Sequence, residues 1–447
     1  MPEVAIIGAG LAGISAAVKL ASEGFKVRLF ESSQKAGGRA GSFPFTLTSP
    51  LNNSQKEYQL DNGQHIMMGC YHETLSLLAE TSSLDKIFVQ EKMDVKIVGP
   101  KQKSYTLGSG FLPYPLNLLQ ALMGFDYLSF GQKLSALKFI LSLKLLNVDT
   151  LIDTTVTAWL EDRGQIGELF TGLWEILCIG TLNTSPDKAS ASVFAKILKI
   201  IFLGGKDNSK IVVPKVNLAS LFVEPSIAFI SSKGGEIKFS TYVNSIRSTE
   251  TSSLELISRD RSLGNFSDVI LAVPHHALIK ISGLDQFPSF STNNDLEYSS
   301  ITTFHLFLKE NPITDNFVAL IGSPVQWVFN HGDYLTTVTS SSSKWDKMSE
   351  EDILEIILSE LKSYLNIEPT NIIDHKMVKE KRATIVCGGE NLNNRPECKT
   401  NNPNLFLAGD WTDTGLPATI EGAVLSGKTA AREIIMKHSS ANKPLKD

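Results

Sequence analysis

The sequence has little cysteine, no excess of basic charge and no clustered metal ligands. Its four cysteines, which are scattered without C-x-x-C spacing, are Cys70, Cys178, Cys387 and Cys398. This distribution indicates neither a zinc site nor a disulfide framework, so we expect no bound metal and a reducing, cytoplasmic compartment. The formal net charge of −5 argues against nucleic acid as a partner.

Long apolar runs are also missing. No stretch reaches the roughly 18 uninterrupted apolar residues that indicate a membrane-spanning helix. The apolar run near the N-terminus has no basic segment before it, so we expect no signal peptide. The chain has 447 residues, 42% of them hydrophobic and 20% charged, which is typical of a globular protein with two domains.

The N-terminal sequence VAIIGAGLAGISAAVKLASEGFKVRLFE has the pattern of a dinucleotide-binding βαβ unit. Residues 4–7 and 27–30 are short apolar runs that predict strands, and residues 14–22 predict the helix between them. Three glycines in G-x-G-x-x-G spacing and an acidic residue at the second strand end complete the pattern: Gly8, Gly10, Gly13 and Glu31. The glycines permit a tight turn, close approach of a pyrophosphate and close helix packing. The acidic residue suits a ribose diol and disfavours NADP.

A second glycine loop follows directly, with Gly37, Gly38 and Arg39. Its backbone and guanidinium can reach the same pyrophosphate from another side. NAD enzymes do not usually need such a loop, so its presence favours FAD.

The C-terminal segment LFLAGDWTDTGLPATIEGAVLSGKTAA predicts the other end of the cofactor site. A strand at 405–407 ends at Gly409 and Asp410, which places the carboxylate at the open edge of the sheet. A helix follows from about Pro417, and the positive end of its dipole can stabilise negative charge on a reduced flavin.

The middle of the chain, residues 105–204, is rich in Leu and Phe. Within it, Lys133, Lys138 and Lys144 stand among apolar residues. Two interpretations stay open: a buried helix pair of a second domain, or an amphipathic surface that rests on a bilayer and admits a lipid.

An αβ pattern returns from Val212, and residues 268–274 predict another buried strand. We therefore predict an α/β fold in which a discontinuous Rossmann-like FAD-binding domain accompanies a second, α+β substrate domain. The predicted FAD-binding domain comprises residues 1–95, 212–280 and 376–440. The predicted substrate domain comprises residues 96–211 and 281–375. We expect residues 44–59, which are polar, to form a surface loop or hairpin.

Several segments together resemble the flavin amine oxidases and phytoene-desaturase-like enzymes over essentially the full chain. The segments LDNGQHIMMGCY, WEILCIGTLNTSPDKASASVF, QWVFN, EKRAT and LAGDWTDTGLPATIEGAVLSG are more narrowly similar to the hydroxysqualene dehydroxylase family. The resemblance implies a flavin amine oxidase-like fold and a bacterial enzyme of squalene and hopanoid biosynthesis. The implied reaction removes the hydroxyl of hydroxysqualene, with FADH2 as reductant. The sequence departs from the family in the long polar stretch at 44–59 and the Asn-rich stretch at 390–403.

The resemblance and the motifs together give a set of expected site residues. Those expected to bind FAD are Gly8, Gly10, Leu11, Ala12, Gly13, Glu31, Gly37, Gly38, Arg39, Val243, Gly409, Asp410, Thr419 and Ile420. Those expected near the substrate are Asp61, Asn62, Gln64, Trp327 and Trp411. His65 is the candidate proton donor for the leaving hydroxyl, although the flavin chemistry of carotenoid-type relatives leaves open that no side-chain acid is essential.

Three alternative functions remain at this point. The first is a carotenoid- or squalene-type desaturase, and the second is an amine oxidase with an aromatic cage and a lysine near flavin N5. The third is a flavin-bearing scaffold of an isoprenoid complex. The expected partners are a long-chain isoprenoid, the inner face of the cytoplasmic membrane as a peripheral contact, and other squalene-pathway enzymes.

Overall fold

The structure is a computed structural model, and it describes residues 2–48, 54–250, 253–286 and 296–441. The strands are β1 (Glu3–Ile7), β2 (Lys26–Phe30), β3 (Ser42–Thr48), β4 (Gln55–Asp61), β5 (Met67–Met68), β6 (Ile87–Val89), β7 (Asp94–Gly99), β8 (Lys103–Gly108), β9 (Ile211–Pro214), β10 (Glu236–Lys238), β11 (Ser245–Ser248), β12 (Leu254–Ser258), β13 (Arg261–Phe266), β14 (Asp268–Leu271), β15 (Tyr298–Leu308), β16 (Phe317–Leu320), β17 (Trp327–Asn330), β18 (Tyr334–Ser340), β19 (Ile372–Ile385) and β20 (Leu405–Leu407). The α-helices are α1 (Leu11–Ser22), α2 (His72–Glu80), α3 (Leu116–Gly124), α4 (Phe130–Ser142), α5 (Val156–Asp162), α6 (Glu175–Leu182), α7 (Ala191–Leu203), α8 (Glu224–Ser232), α9 (His275–Leu278), α10 (Glu350–Leu365), α11 (Gly389–Asn393) and α12 (Ile420–Ala441).

A five-stranded parallel sheet, in the order β10-β2-β1-β14-β20, is built from distant parts of the chain. The apolar β1 lies at its centre, where Val4 pairs with both Val27 and Asp268. Helices α1, α8 and α12 pack against one face and the three-stranded sheet β11-β12-β13 against the other. This sheet confirms the predicted α/β class and Rossmann-like, discontinuous organisation.

Helices α1 and α12 approach each other closely because a glycine, Gly427, lies at their contact. A Cβ added at Gly427 would lie 2.0 Å from the Ala12 carbonyl oxygen and 2.2 Å from Ser15 Oγ. The Ser15 hydroxyl donates to the Val424 carbonyl at 3.1 Å. The helices contributed by the N-terminal and C-terminal parts of the chain to the five-stranded sheet are therefore packed backbone against backbone.

A second sheet of seven strands, in the order β19-β15-β18-β17-β16-β7-β8, forms the other half. Helix α10 packs on one of its faces, and a layer formed by α3 to α7 packs on the other. The predicted domain borders at 95/96 and 375/376 fall inside β7 and β19 of this sheet. Borders before Asp94 and after Ile385 agree better with the strand pairing, and the division into two domains stays a proposal.

The predicted polar excursion at 44–59 forms an antiparallel hairpin in its described part. Strands β3 and β4 pair along their lengths, from Ser42 opposite Asp61 to Thr48 opposite Gln55. The rest of that prediction, residues 49–53, lies outside the described residues.

The Leu- and Phe-rich middle of the chain forms helices with both buried and exposed apolar residues, and contact with a bilayer stays a prediction. Ala136 and Phe139 of α4 are buried, as is Leu143 just after the helix, whereas Phe130 and Leu141 of α4 are exposed. Among the described residues, no helix combines the length and the apolar character that crossing a bilayer requires.

Candidate functional site

Two glycine loops meet at the carboxyl edge of the five-stranded sheet. The first follows β1 and contains Gly8 and Gly10, and the second follows β2 and contains Gly37 and Gly38. The Gly37 N–H donates to the Ala9 carbonyl at 2.8 Å, and Gly10 pairs with Gly37 in an isolated parallel bridge. The structure therefore brings together the two loops that were predicted to share one pyrophosphate.

The space beside Gly10 fits a phosphate group. A Cβ added at Gly10 would meet no atom within 4 Å, whereas at Gly8 or Gly13 it would lie 2.6 or 1.9 Å from a carbonyl oxygen. Helix α1 begins directly after Gly10 with Leu11 and Ala12, and no side chain caps its first N–H groups. An open helix N-terminus of this kind binds anions, so these residues fit the pyrophosphate of FAD.

Glu31 lies at the end of β2 and holds the first glycine loop. One carboxylate oxygen accepts a hydrogen bond from the Ala9 N–H at 2.8 Å, and the other accepts one from the Ser33 N–H at 2.8 Å. The Thr241 N–H donates to the Glu31 carbonyl at 2.8 Å, which brings the buried Val243 close to this end of the site. The predicted contact of Glu31 with the ribose stays a prediction.

Arg39 joins the second glycine loop to the C-terminal motif. Its Nη2 lies 2.6 Å from Asp410 Oδ1, and its Nη1 donates to the Ala383 carbonyl at 2.6 Å. Burial, the largest single effect, opposes the charge on Arg39, but the Asp410 carboxylate together with Glu380 and Tyr298 outweighs it, so that the pKa of the guanidinium is raised. Residues predicted from opposite ends of the chain thus form one ion pair.

Arg395 is a site residue that sequence reasoning missed. Its guanidinium donates to the carbonyls of Leu416 at 2.6 Å, Asp410 at 3.1 Å and Thr412. These contacts fix the loop between β20 and α12. The only signal in the sequence was a basic residue within the Asn-rich stretch at 390–403.

Trp411 is buried in the core below the loop. Its side chain is 3% exposed and packs among core residues on the sheet, with Nε1 donating to the Val273 carbonyl at 3.0 Å. Gly409, with φ of 151°, makes room for it, because a Cβ there would lie 2.2 Å from the indole nitrogen. Trp411 therefore supports the loop from within the core, and its place near the substrate stays a prediction.

Helix α12 begins beside this loop with Thr419 as its preceding residue and Ile420 as its first. Thr419 Oγ1 accepts a hydrogen bond from the Gly422 N–H at 3.2 Å. The Glu421 carboxylate accepts two backbone N–H groups at the start of α2, each at 2.9 Å. Glu421 thus caps a helix 348 residues earlier in the chain, a contact that no local pattern predicts.

Asp61 and Asn62 begin the residue 61–66 loop and attach it to neighbouring segments of the chain. Asp61 Oδ1 accepts hydrogen bonds from the Ser42 hydroxyl at 2.6 Å and the Leu218 N–H at 2.9 Å, at the start of the helical segment that leads into α8. Burial raises the pKa of Asp61 to about 6 despite these bonds. The Asn62 amide donates to the Gly38 carbonyl at 3.3 Å, which attaches the loop to the second glycine loop.

His65 lies in an environment that disfavours its charged form. Burial, with the nearby positive charge of Arg39, lowers its pKa to about 4. A neighbouring histidine that the sequence did not single out, His305, contacts the Asp61 carbonyl through Nε2 at 3.0 Å and Thr336 Oγ1 through Nδ1 at 2.9 Å. Its pKa is also lowered to about 4, by burial. Both imidazoles are therefore neutral at pH 7.

An apolar face adjoins the loop that carries the half-buried Gln64. Ile66 packs in one cluster with Ile301 of β15 and Trp327 of β17. A Cβ added at Gly180 of α6 would lie 3.7 Å from the Trp327 ring. Trp327 thus lies between the seven-stranded sheet and the helical layer, and its place near a substrate stays a prediction.

A family profile of flavin-containing amine oxidoreductases matches residues 11–435. The chain is similar to the hydroxysqualene dehydroxylases of Zymomonas mobilis, with 26% identity over 97% of this chain and 99% of that one, and of Sinorhizobium fredii, with 29% identity over 96% and 98%. It is also similar to the 15-cis-phytoene desaturase of Solanum lycopersicum, with 24% identity over 98% of this chain and 78% of that one.

Among solved structures, an oxidoreductase from Methanosarcina mazei superposes with a TM-score of 0.71. The alignment covers 96% of this chain and all of that one, at 16% identity. At this identity the likeness concerns the fold alone, and it agrees with the two-sheet architecture described above.

Proposed function

We propose, from the premise that the chain belongs to the flavin-containing amine oxidoreductase family, that it converts hydroxysqualene to squalene. The chain is an FAD-dependent oxidoreductase, and its relationship to hydroxysqualene dehydroxylases and phytoene desaturases indicates isoprenoid chemistry. The identity of the substrate and the direction of the reaction are the proposed part. The observation that carries the proposal is the apolar face beside the residue 61–66 loop.

This apolar face suits a hydrocarbon. The cluster beneath the helical layer includes Ile301, Trp327 and Val338 from the sheet and Leu173 and Leu182 from the layer. Burying apolar surface there is favourable by roughly 25 cal/mol per Å². A long isoprenoid chain is therefore stabilised by burial in this environment, whereas a small polar substrate is not.

FAD is held in this proposal by the two glycine loops, Glu31, the Arg39–Asp410 pair and the start of α12. The reduced cofactor FADH2, when bound, would supply both hydrogens of the overall reaction, a hydride for the carbon and a proton that leaves in the water. The chain's own residues orient the substrate and exclude water, so that the allylic carbon is not trapped by solvent after the hydroxyl leaves as water.

The proton for the leaving hydroxyl was predicted to come from His65. A pKa of about 4 leaves this imidazole without a spare proton at neutral pH, so an essential donor role is disfavoured. We expect His65→Gln to keep the single-turnover rate of flavin oxidation within a few-fold of wild type between pH 6 and 8. His72→Gln, at an exposed histidine, is the matched control. A loss of about 100-fold or more (roughly 2.7 kcal/mol) in His65→Gln with flavin retained would restore the donor role.

The function itself is tested anaerobically. Photoreduced protein mixed with hydroxysqualene is expected to reoxidise its flavin and release one squalene per flavin. No reoxidation by the alcohol, together with reduction of the oxidised flavin by a polyene precursor, would overturn the proposal in favour of a desaturase. Reoxidation at a rate unchanged by the alcohol would leave only a flavin-bearing scaffold.

An amine oxidase is a weaker alternative on physical grounds. Thr303, which faces the residue 61–66 loop, stands in one row across the sheet with Val338 and Trp327. A charged amine placed against these residues would lose hydration without gaining a counter-ion. The desaturase alternative shares the apolar face, and only the direction of electron flow separates it from the proposed reaction.

We also propose a peripheral contact with the membrane, through the surface near the ends of α3 and α4. Phe111, Phe130 and Leu145 are 90%, 74% and 95% exposed, Lys92 Nζ lies 3.0 Å from the centroid of the Phe111 ring, and Lys138 and Lys144, within and just after α4, are also exposed. Exposed apolar side chains bordered by lysines suit an anionic lipid surface. Binding to phosphatidylglycerol vesicles tests this contact, and equal sedimentation with and without vesicles would contradict it. Association with other squalene-pathway enzymes would place the substrate at the same surface.

A further inference from the structure

The hydroxyl group of Thr303 has no hydrogen-bond partner within the described part of the chain, although the residue is 0% exposed. A buried hydroxyl left unpaired is costly, and such groups in folded proteins almost always have a partner. The Thr303 hydroxyl is therefore free to pair with a bound ligand, if its position places it beside one.

The position of Thr303 shows where such a ligand would lie. Side chains alternate between the two faces of a strand, and on β15 Ile301, Thr303 and His305 share one face. His305 on that face reaches Asp61, and a Cβ added at Gly63 would lie 3.6 Å from Thr303 Oγ1. The hydroxyl thus faces the residue 61–66 loop, at the border between the cofactor half and the apolar face.

The direct cross-strand neighbours of Thr303 are apolar. They are Val338 on β18 and Val378 on β19, and Val338 in turn pairs with Trp327 on β17. One hydroxyl, able both to donate and to accept, therefore stands in an apolar row across the sheet, with Ile301 and His305 on either side of it along β15.

We propose that the Thr303 hydroxyl binds the hydroxyl group of the substrate and thereby selects the alcohol over the corresponding hydrocarbon. This inference rests on the proposed function. A hydrocarbon leaves the buried hydroxyl unpaired, whereas an alcohol forms the missing hydrogen bond. A site built to pair with a substrate hydroxyl rejects an analogue that lacks it, and we expect a preference of about 10- to 100-fold from one neutral hydrogen bond.

The same sheet supplies a matched control. Thr337 on β18 is also buried with an unpaired hydroxyl, but it pairs with Phe304, whose side chain packs on the opposite face toward α10. Thr337→Val and Thr303→Val therefore make the same chemical change on the two faces of one sheet. Only the second is expected to change ligand selection.

The test measures binding to the oxidised holoenzyme, from the change in the visible flavin spectrum on titration with hydroxysqualene or squalene. Wild type and Thr337→Val are expected to bind the alcohol about 10- to 100-fold more tightly than the hydrocarbon. Thr303→Val is expected to bind both about equally, and Thr303→Ser is expected to restore the preference.

Two outcomes would overturn the inference. One is a Thr303→Val protein that keeps the wild-type preference. The other is loss of FAD from this variant with the fold intact, which would make the cofactor the partner of the hydroxyl. Failure of the proposed function would give a different result from failure of this inference alone. The wild-type protein would then neither prefer the alcohol nor reoxidise its flavin when mixed with the alcohol.

Discussion

Gly10→Ala is expected to give a folded protein that has lost at least about 100-fold in FAD affinity, roughly 2.7 kcal/mol. In the polypeptide alone the added Cβ meets nothing within 4 Å, so the free energy of unfolding of the apoprotein should change by less than about 1 kcal/mol. The methyl group would instead occupy space that the pyrophosphate needs beside the N-terminus of α1. Quenching of FAD fluorescence measures the affinity, and thermal unfolding of the apoprotein measures the stability.

Gly13→Ala is expected to fail differently. Its Cβ would lie 1.9 Å from the Gly8 carbonyl oxygen and 3.2 Å from the Ala272 side chain, so backbone must move and the apoprotein should lose about 3 kcal/mol or more. Gly131→Ala, on the exposed side of α4 with nothing within 4 Å, is the control and should affect neither quantity. Equal FAD affinity in Gly10→Ala and wild type would show that the pyrophosphate does not lie beside Gly10.

Arg39→Met is expected to lower both stability and FAD binding, because it leaves a buried carboxylate without its cation. Asp410 is 7% exposed and Arg39 38% exposed at the side chain. Since solvent partly screens the arginine, we expect a loss of about 1–3 kcal/mol in stability. Loss of FAD should accompany it, because the same guanidinium holds the second glycine loop against Ala383.

Asp410→Asn separates charge from geometry, since the amide oxygen can still accept from Arg39. We expect Asp410→Asn to lower the free energy of unfolding by less than Arg39→Met does. The double variant Arg39→Met/Asp410→Asn should lower it by less than the sum of the two single changes. Unfolding by urea measures each free energy. Lys56→Met, which removes an exposed ion pair with Asp333, should leave both stability and FAD binding unchanged. Additive losses in the double variant would mean that the pair contributes nothing as a pair.

Local patterns in the sequence were enough to predict the cofactor half. The turn, helix and strand between Gly8 and Glu31 are fixed by neighbours in the chain, and the structure forms them as predicted. The two glycine loops could be placed together because both follow adjacent strands. The carboxyl ends of parallel strands lie on the same edge of a sheet.

Contacts between distant segments could not be predicted in this way. Glu421 caps a helix far away in the chain, His305 reaches Asp61 from the other sheet, and Arg395 closes a loop from within an Asn-rich stretch. The burial of Trp411 could not be predicted for the same reason, since an indole next to a site motif points into the core or out of it according to packing. The orphan hydroxyl of Thr303 is visible only when the register of β15 is known.

The contact between α1 and α12 has a consequence for how the protein is made. The central strand and the first glycine loop leave the ribosome hundreds of residues before β20, Asp410 and α12, which complete the same sheet and site. A nascent chain therefore presents the side of α1 that carries Gly13 and Ser15 without its α12 partner for much of translation. Flavin loading that uses both ends of the site becomes a late event, because it needs α12 to have emerged.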